Sequence, residues 1–146
     1  MSSTLKQELE TALKVARKDR DRLRVTVLSS TLSELRNLEI EEGESADDEM
    51  VKKVLSRAVK QRKEAADQML AGGREELAEK EESEVEILSE FLPPPLAEEE
   101  VRSMVQEIME DGVDQMGPLM GRLMPRIQGR FDGKDANRIV REELSA

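Results

Sequence analysis

The residues with the clearest potential for chemistry are six basic side chains between positions 116 and 141. They face only two acids there, so this segment carries a charge of +4, whereas the whole chain carries −10. Arginine suits phosphate because its planar guanidinium donates two parallel hydrogen bonds. A basic segment on an acidic protein favours contact with a polyanion at one place, and RNA is the polyanion we expect. The candidate nucleic-acid-binding residues are Arg122, Arg126, Arg130, Lys134, Arg138 and Arg141.

The alternative is that these cations form an ordinary solvated helix face. Four glycines in the segment either allow the backbone to approach a ligand closely or cap helices. The RNA interpretation requires the charges to gather on one exposed surface without being neutralised by carboxylates. Because Phe131 is the only aromatic residue nearby, stacking of bases lacks its usual platform, and RNA would be read by shape and backbone.

Absent residue types limit the catalysis that this chain could perform. It contains no His, Cys, Tyr or Trp, which removes the commonest general base and the easiest nucleophile as well as any disulfide or thiolate zinc site. No glycine-rich phosphate loop is present, and the acidic run at 79–86 resembles a solvated surface more than a metal site. We therefore predict no catalytic residue, no cofactor and no metal. We favour a chain that is not an enzyme alone, and the alternative is an enzyme that uses only Asp, Glu, Lys, Ser or Thr.

Apolar residues recur at helical spacing along almost the whole chain, and no run alternates as a strand would. This pattern predicts an all-α protein with an N-terminal unit of about four helices and a compact C-terminal unit of three. Thr4 is expected to cap the first helix, Gly43 to end the second and Ser45 to open the third. The fourth is expected from about Glu75 to Phe91, with Leu77 facing inward.

Three consecutive prolines, Pro93 to Pro95, mark the boundary between the two units. Consecutive prolines cannot continue a helix and favour a stiff extended chain. We therefore divide the chain into an N-terminal unit of residues 1–92, a proline hinge of residues 93–97 and a C-terminal unit of residues 98–146.

Within the C-terminal unit, Pro118 suits the first turn of the sixth helix, and Asp132 suits the N-cap of the seventh. Pro125 either kinks the sixth helix or splits it into two short pieces. Three methionines at i, i+4 and i+8 share one helix face and are expected to fill the core, with an adaptable binding groove as the alternative. They are Met116, Met120 and Met124.

Basic residues also cluster in the N-terminal unit. The segment 51–63 contains six basic residues and no acid, and the segment 14–24 contains six basic residues against two acids. The first of these could contact a polyanion or pair with acids of the fourth helix, and we favour pairing.

The C-terminal segment reads Met-Gly-x-Leu-Met-Gly-x-Leu-Met-Pro-Arg-Ile-x-Gly-Arg-x-Asp-Gly from Met116 to Gly133. It resembles the YqeY family and, more distantly, the C-terminal tail domain of GatB, a subunit of the glutamine-dependent amidotransferase that acts on misacylated tRNA. The likeness spans essentially the whole chain, including less specific motifs. These are Asp21-Arg22-Leu23-Arg24-Val25, Lys60-Gln61-Arg62-Lys63-Glu64, Glu86-Ile87-Leu88-Ser89-Glu90-Phe91-Leu92-Pro93 and Glu98-Glu99-Glu100-Val101.

The resemblance implies an all-helical, tRNA-binding or tRNA-associated helper, with tRNA contacts by the basic residues from Arg126 to Arg141. It carries over no catalytic residue, because the carbon-nitrogen ligase activity with glutamine as amido-N-donor belongs to the full amidotransferase. The alternative is a protein-interaction module or accessory subunit whose partners are an amidotransferase or other translation proteins. Ala97 departs from the family, which usually has a capping Ser there, and this predicts a weakly capped fifth helix.

Location is predicted from what the chain lacks. No stretch approaches the roughly 18 apolar residues of a membrane helix, and the first residues lack the apolar core of a signal peptide. We therefore expect a cytoplasmic protein without a membrane partner.

Overall fold

The computed structural model describes residues 4–127 and 129–146, and in these residues every regular element is an α-helix. The all-α prediction is confirmed. The helices are α1 (Leu5–Lys18), α2 (Arg22–Glu42), α3 (Asp48–Ala71), α4 (Glu75–Ser89), α5 (Glu98–Glu110), α6 (Met116–Ile127) and α7 (Gly133–Ser145).

The chain divides into two compact units, with the boundary between Leu92 and Pro93. Helices α1 to α4 build the first unit, and helices α5 to α7 build the second. Each unit has its own core of buried aliphatic side chains.

In the first unit, α1 forms because a capping box starts it and an apolar stripe anchors it. The Thr4 hydroxyl accepts from the Gln7 amide, and the Gln7 side chain accepts from the Thr4 amide, as the sequence predicted. Lys6 then pairs with Glu39 on α2 at 2.8 Å. The predicted α1 stripe is buried in full and packs into one core with residues of α2, α3 and α4. Its members are Leu5, Leu9, Leu13 and Ala16.

Two predictions about the next helices are wrong. The cap of α3 is Asp47, whose carboxylate accepts from the Met50 amide at 2.9 Å, and not Ser45. The helix starts later because the amide of Ala46 donates to Glu39, which keeps this residue in the connection. Leu77 is 45% exposed, because Ala78, about 100° further around α4, is the buried residue instead.

In the second unit, α6 passes through Pro125 without being split and ends at Ile127. Pro125 has no amide to donate to the Gly121 carbonyl, and its ring crowds that carbonyl. Only two helical residues follow it, and burial of Ile127 holds this last turn against the core. Pro118 lies in the first turn, as predicted.

Caps in the second unit follow the sequence as well. Asp132 caps α7 by accepting from the Lys134 amide at 2.7 Å. Ala97 stands at the N-cap of α5 and offers no side-chain hydrogen bond, so the predicted weak cap is confirmed.

Met116 and Met120 pack against the core of the second unit, which agrees with the core-filling prediction. Met124 is 38% exposed and lies near Gly133 at the start of α7. Among the described helices, none is both long and apolar enough to cross a membrane.

Candidate nucleic-acid interface

The two arginines of α6 lie one turn apart, and each lies near an acid in α5 or at its C-cap. Arg126 Nη2 lies 3.2 Å from Glu107 Oε2, and Arg122 Nη1 lies 3.9 Å from Asp111 Oδ2. All four side chains are exposed, so these are solvent-screened ion pairs of modest strength.

Arg130, after α6, contacts the segment that leads into α5. Its Nε donates to the carbonyl of Pro94 at 3.3 Å, and its own carbonyl accepts from the Leu96 amide at 2.8 Å. Leu96 is buried in the core of this unit. Arg130 therefore has a structural role in holding this connection in place.

Lys134, Arg138 and Arg141 share one face of α7, because they are spaced at i, i+4 and i+7. Arg138 is ion-paired to Glu98 at the start of α5 and, at 2.9 Å, to Glu142 on its own helix. Lys134 and Arg141 are exposed and have no ion pair within the described residues. Of the predicted set, Arg130 also lacks an acidic partner among the described residues, but it is half-buried, so only Lys134 and Arg141 are both exposed and unpaired.

Arg102 completes the network around Arg138, and sequence reasoning did not single it out. Its guanidinium lies 2.8 Å from Glu142, 3.1 Å from Glu143 and 3.3 Å from Glu98. The i, i+4 spacing of Glu98 and Arg102 was a local signal for one of these pairs. The other two partners, Glu142 and Glu143, lie 40 and 41 residues away, so no local pattern indicates them.

These contacts shift the ionisation of the carboxyls. Hydrogen bonds from Arg138 and then Arg102 hold the pKa of Glu98 below its usual value. The same two arginines, Arg102 first, lower the pKa of Glu142. The pKa of Arg102 is raised, chiefly by Glu142. Both arginines are thus committed to internal partners.

The six predicted cations do not form one continuous basic surface. Glu98 and Glu107 are nine residues apart on α5, or about 2.5 helical turns, and so lie on opposite faces. The ion pairs of α6 and of α7 consequently lie along different sides of α5. The unit from 93 to 146 carries seven basic and eleven acidic residues, so it is acidic as a whole.

On α3, the predicted pairing with α4 occurs at one residue only. Arg62 Nε lies 3.8 Å from Glu84 Oε2, while Lys52 pairs with Glu49 of its own helix. The expectation fails elsewhere because Glu84 is the one acid on the buried face of α4.

Four cations of α3, including Lys63, remain exposed without an ion pair in the described part of the chain, and the other three share one face at i, i+4 and i+7. We call this set, Lys53, Arg57 and Lys60, the α3 strip.

Glu84 is buried beside Arg62, and its ionisation is disfavoured. Burial and then repulsion from Glu81 raise the pKa of Glu84, against the attraction of Arg62.

Across residues 4–127 and 129–146, no three acidic side chains are arranged to hold a metal ion. The α3 strip, Lys134 and Arg141 leave positive charge exposed, and exposed positive charge suits electrostatic binding of a polyanion.

Comparison with known proteins identifies relatives along the chain. The Yqey-like protein family matches residues 6–144. Proteins named "Altered inheritance of mitochondria protein 41, mitochondrial" are similar as well. The Lachancea thermotolerans protein is 32% identical over 112 residues, which cover 75% of this chain and 58% of the relative. The Kluyveromyces lactis protein is 33% identical with the same coverage.

A Saccharomyces cerevisiae protein of the same name is 30% identical over 101 residues, covering 67% of this chain and 55% of the relative. The chain thus spans little more than half the length of these curated relatives. The family match, in contrast, takes in nearly the whole chain and confirms the resemblance carried by the Met116 to Gly133 motif. The protein belongs to the YqeY family.

Proposed function

We propose that the protein is an accessory factor that binds RNA through its phosphate backbone, and that this RNA is tRNA. The observation that carries this proposal is the α3 strip, three exposed cations on one helix face without an acidic partner among the described residues. The resemblance to the GatB tail domain is what favours tRNA over other RNAs.

The spacing of the α3 strip suits a row of phosphates. At a rise of about 1.5 Å per residue, Lys53 and Arg57 are offset by about 6 Å along the helix, and Arg57 and Lys60 by about 4.5 Å. In duplex DNA, the phosphates of one strand follow one another at about 3.4 Å along the axis. The strip, about 10 Å long, is therefore long enough to reach two or three phosphates of a backbone without reading bases.

Lys134 and Arg141 are proposed as a second contact, on the C-terminal unit. Arg122 and Arg126, along another side of α5, can make a contact of their own, because their ion pairs with Asp111 and Glu107 are exposed and salt-sensitive. Arg138 and Arg130, the remaining members of the predicted set, contribute least, since Arg138 is ion-paired within the unit and Arg130 is half-buried with its Nε bonded to the Pro94 carbonyl.

A second candidate function is that of an accessory subunit for a glutamine-dependent carbon-nitrogen ligase. It is favoured by the outer face of α4, where acids at 75, 76, 79, 82 and 86 are exposed and could meet a basic protein partner. Transamidation of misacylated tRNA by an amidotransferase, measured with and without this chain, tests this role directly.

We propose that the protein works in a cellular compartment that contains tRNA. We expected the cytoplasm, whereas the related proteins carry a mitochondrial name. A mitochondrial matrix location would supply tRNA equally well. Fractionation with the tagged full chain distinguishes the two.

Filter binding of the purified protein to total tRNA across a salt series tests the RNA proposal. We expect affinity to fall steeply with salt. Replacing the α3 strip in Lys53→Gln/Arg57→Gln/Lys60→Gln removes phosphate contacts. The negative slope of log affinity against log salt should therefore become less steep by roughly 2 to 3.

A matched control removes three exposed cations elsewhere in the same unit, in Arg36→Gln/Arg74→Gln/Lys80→Gln, and changes the net charge equally. Its slope should stay near that of the wild type. Equal slopes for both triple variants would mean that net charge alone is at work, and the proposal would fail.

A further inference from the structure

We propose that the turn between α1 and α2 is a binding site for a phosphate group. A shallow groove of about 480 Å³ lies there, and we call it the turn groove. Its lining consists of Arg17, Arg20, Arg22, Val25 and Thr26. This site is separate from the α3 strip and from the predicted C-terminal cations.

The backbone conformation of Arg20 is unusual. Its φ is +57°, and it is the only non-glycine residue with positive φ among the described residues. The turns after α2 and α3 instead have glycine at their positive-φ positions, at Gly43 and Gly73. An L-residue pays a steric penalty of about 1 kcal/mol there. The chain thus carries an arginine where glycine would be more stable.

The turn is fixed by backbone hydrogen bonds on both sides of Arg20. Its amide donates to the Arg17 carbonyl at 3.2 Å, and the Asp21 amide donates to the Ala16 carbonyl at 3.0 Å. The Asp21 carboxylate then caps α2 by accepting from the Arg24 amide at 3.1 Å. The positions from which the three arginines project are therefore set before any ligand arrives.

The three arginines have no internal acidic partner. Arg17, Arg20 and Arg22 are exposed, and none forms an ion pair within the part of the chain that the structure describes. Arg24, just beyond the groove, shows the contrast, because it pairs with Glu90 at 2.6 Å. Lys18 adds a further exposed cation.

The chemistry of the lining selects a phosphate. Guanidinium groups offer paired donors that match two phosphate oxygens. The Thr26 hydroxyl already donates to the Arg22 carbonyl at 2.9 Å, so the donors toward a ligand come from the arginines. Inorganic pyrophosphate and the phosphodiesters of an oligonucleotide present the same oxygens, and the test separates these sources.

Nuclear magnetic resonance of the full chain, recording backbone amides and arginine Nε–H groups, tests the site with sodium pyrophosphate and with a hexauridylate. We expect saturable shifts confined to residues 17–26. Saturation by both probes supports a polynucleotide phosphate, and saturation by pyrophosphate alone supports a small phosphate compound. Shifts that grow without saturation, or spread over all exposed cations, would overturn the proposal.

Variants of the arginines distinguish loss of the phosphate site from loss of the fold. Arg20→Gly removes one guanidinium and relieves the positive φ, so the protein should be at least as stable as the wild type. Combined with Arg17→Gln and Arg22→Gln, it should weaken pyrophosphate binding at least tenfold. Arg36→Gln, on the same helix as Arg22, is the matched control and should leave binding unchanged; an unchanged affinity in the triple variant would refute the site.

The variant of the α3 strip separates this site from the proposed function. It should bind pyrophosphate like the wild type even where it loses tRNA. Loss of pyrophosphate binding in the α3 variant, with the turn groove intact, would contradict a separate site. Absence of tRNA binding with saturable pyrophosphate shifts would refute only the proposed function.

Discussion

Arg138 on α7 forms a hydrogen-bonded ion pair with Glu98 in the first turn of α5. Residue 138 is therefore part of the packing between two helices of the second unit. The +4 charge of this segment in the sequence overstates its attraction for RNA, because α5 supplies acids along both of its sides.

The α7 face provides a test that separates binding from packing. Lys134→Gln/Arg141→Gln should reduce the salt slope of tRNA binding by roughly 1 to 2, because two phosphate contacts are lost. Arg138→Gln should change tRNA affinity little but lower the urea midpoint of unfolding, since Glu98 loses its main partner. Filter binding and urea unfolding on the same samples measure both. The assignment would be wrong if Arg138→Gln reduced the slope as much as the double variant.

The network around Arg102 predicts a specific acid sensitivity. The pKa of Glu98 is lowered in the folded state, so its contribution to stability is present above its ordinary value of 4.5 and is lost as the pH falls below that value through the lowered folded-state pKa. Glu98→Gln should therefore lower the urea midpoint at pH 6 and have a smaller effect near pH 3. Glu99→Gln, an exposed neighbour outside the network, is the control. A pH-independent effect of Glu98→Gln would argue against the ion pair as the cause.

Glu84 predicts the opposite dependence. Its pKa is raised in the folded state, so ionisation opposes folding, and stability decreases as the pH rises above the ordinary value of 4.5. Glu84→Gln should raise the urea midpoint at pH 7 and have little effect at pH 4. Glu86→Gln, exposed on the same helix, should have little effect at either pH. A lower midpoint for Glu84→Gln at pH 7 would show that the charge pair with Arg62 outweighs the cost of burial.

Local features of the fold were predictable from the sequence because they depend on neighbours in the chain. The capping box of Thr4 and Gln7 needs three residues, and the apolar spacing from Leu5 to Ala16 fixes which face is buried. The inward residue of α4 was missed because Leu77 and Ala78 both fit a helical stripe, and the buried position is held by the smaller side chain.

Charge compensation could not be predicted in the same way. Arg126 and Glu107 are 19 residues apart, and Arg138 and Glu98 are 40 apart. Such pairs depend on how helices pack, so counting charges in a segment gives no information on which cations remain exposed and unpaired. The α3 strip was underestimated for this reason, since acids of α4 are near in sequence but mostly lie on its outer face.

The N-terminus of α5 allows the weak cap to be measured. Ala97 has the extended backbone of an N-cap residue, with φ −78° and ψ 154°, but lacks a side-chain acceptor for the first-turn amides. Ala97→Ser supplies a hydroxyl at this position and should stabilise the unit by about 0.5 to 2 kcal/mol. Ala97→Val, which adds volume without an acceptor, is the matched control and should give no such gain. Urea unfolding monitored by amide signals of α5 measures the difference. Equal midpoints for the Ser and Val variants would mean that the first-turn amides are already satisfied by solvent, and that the family's usual serine has another role.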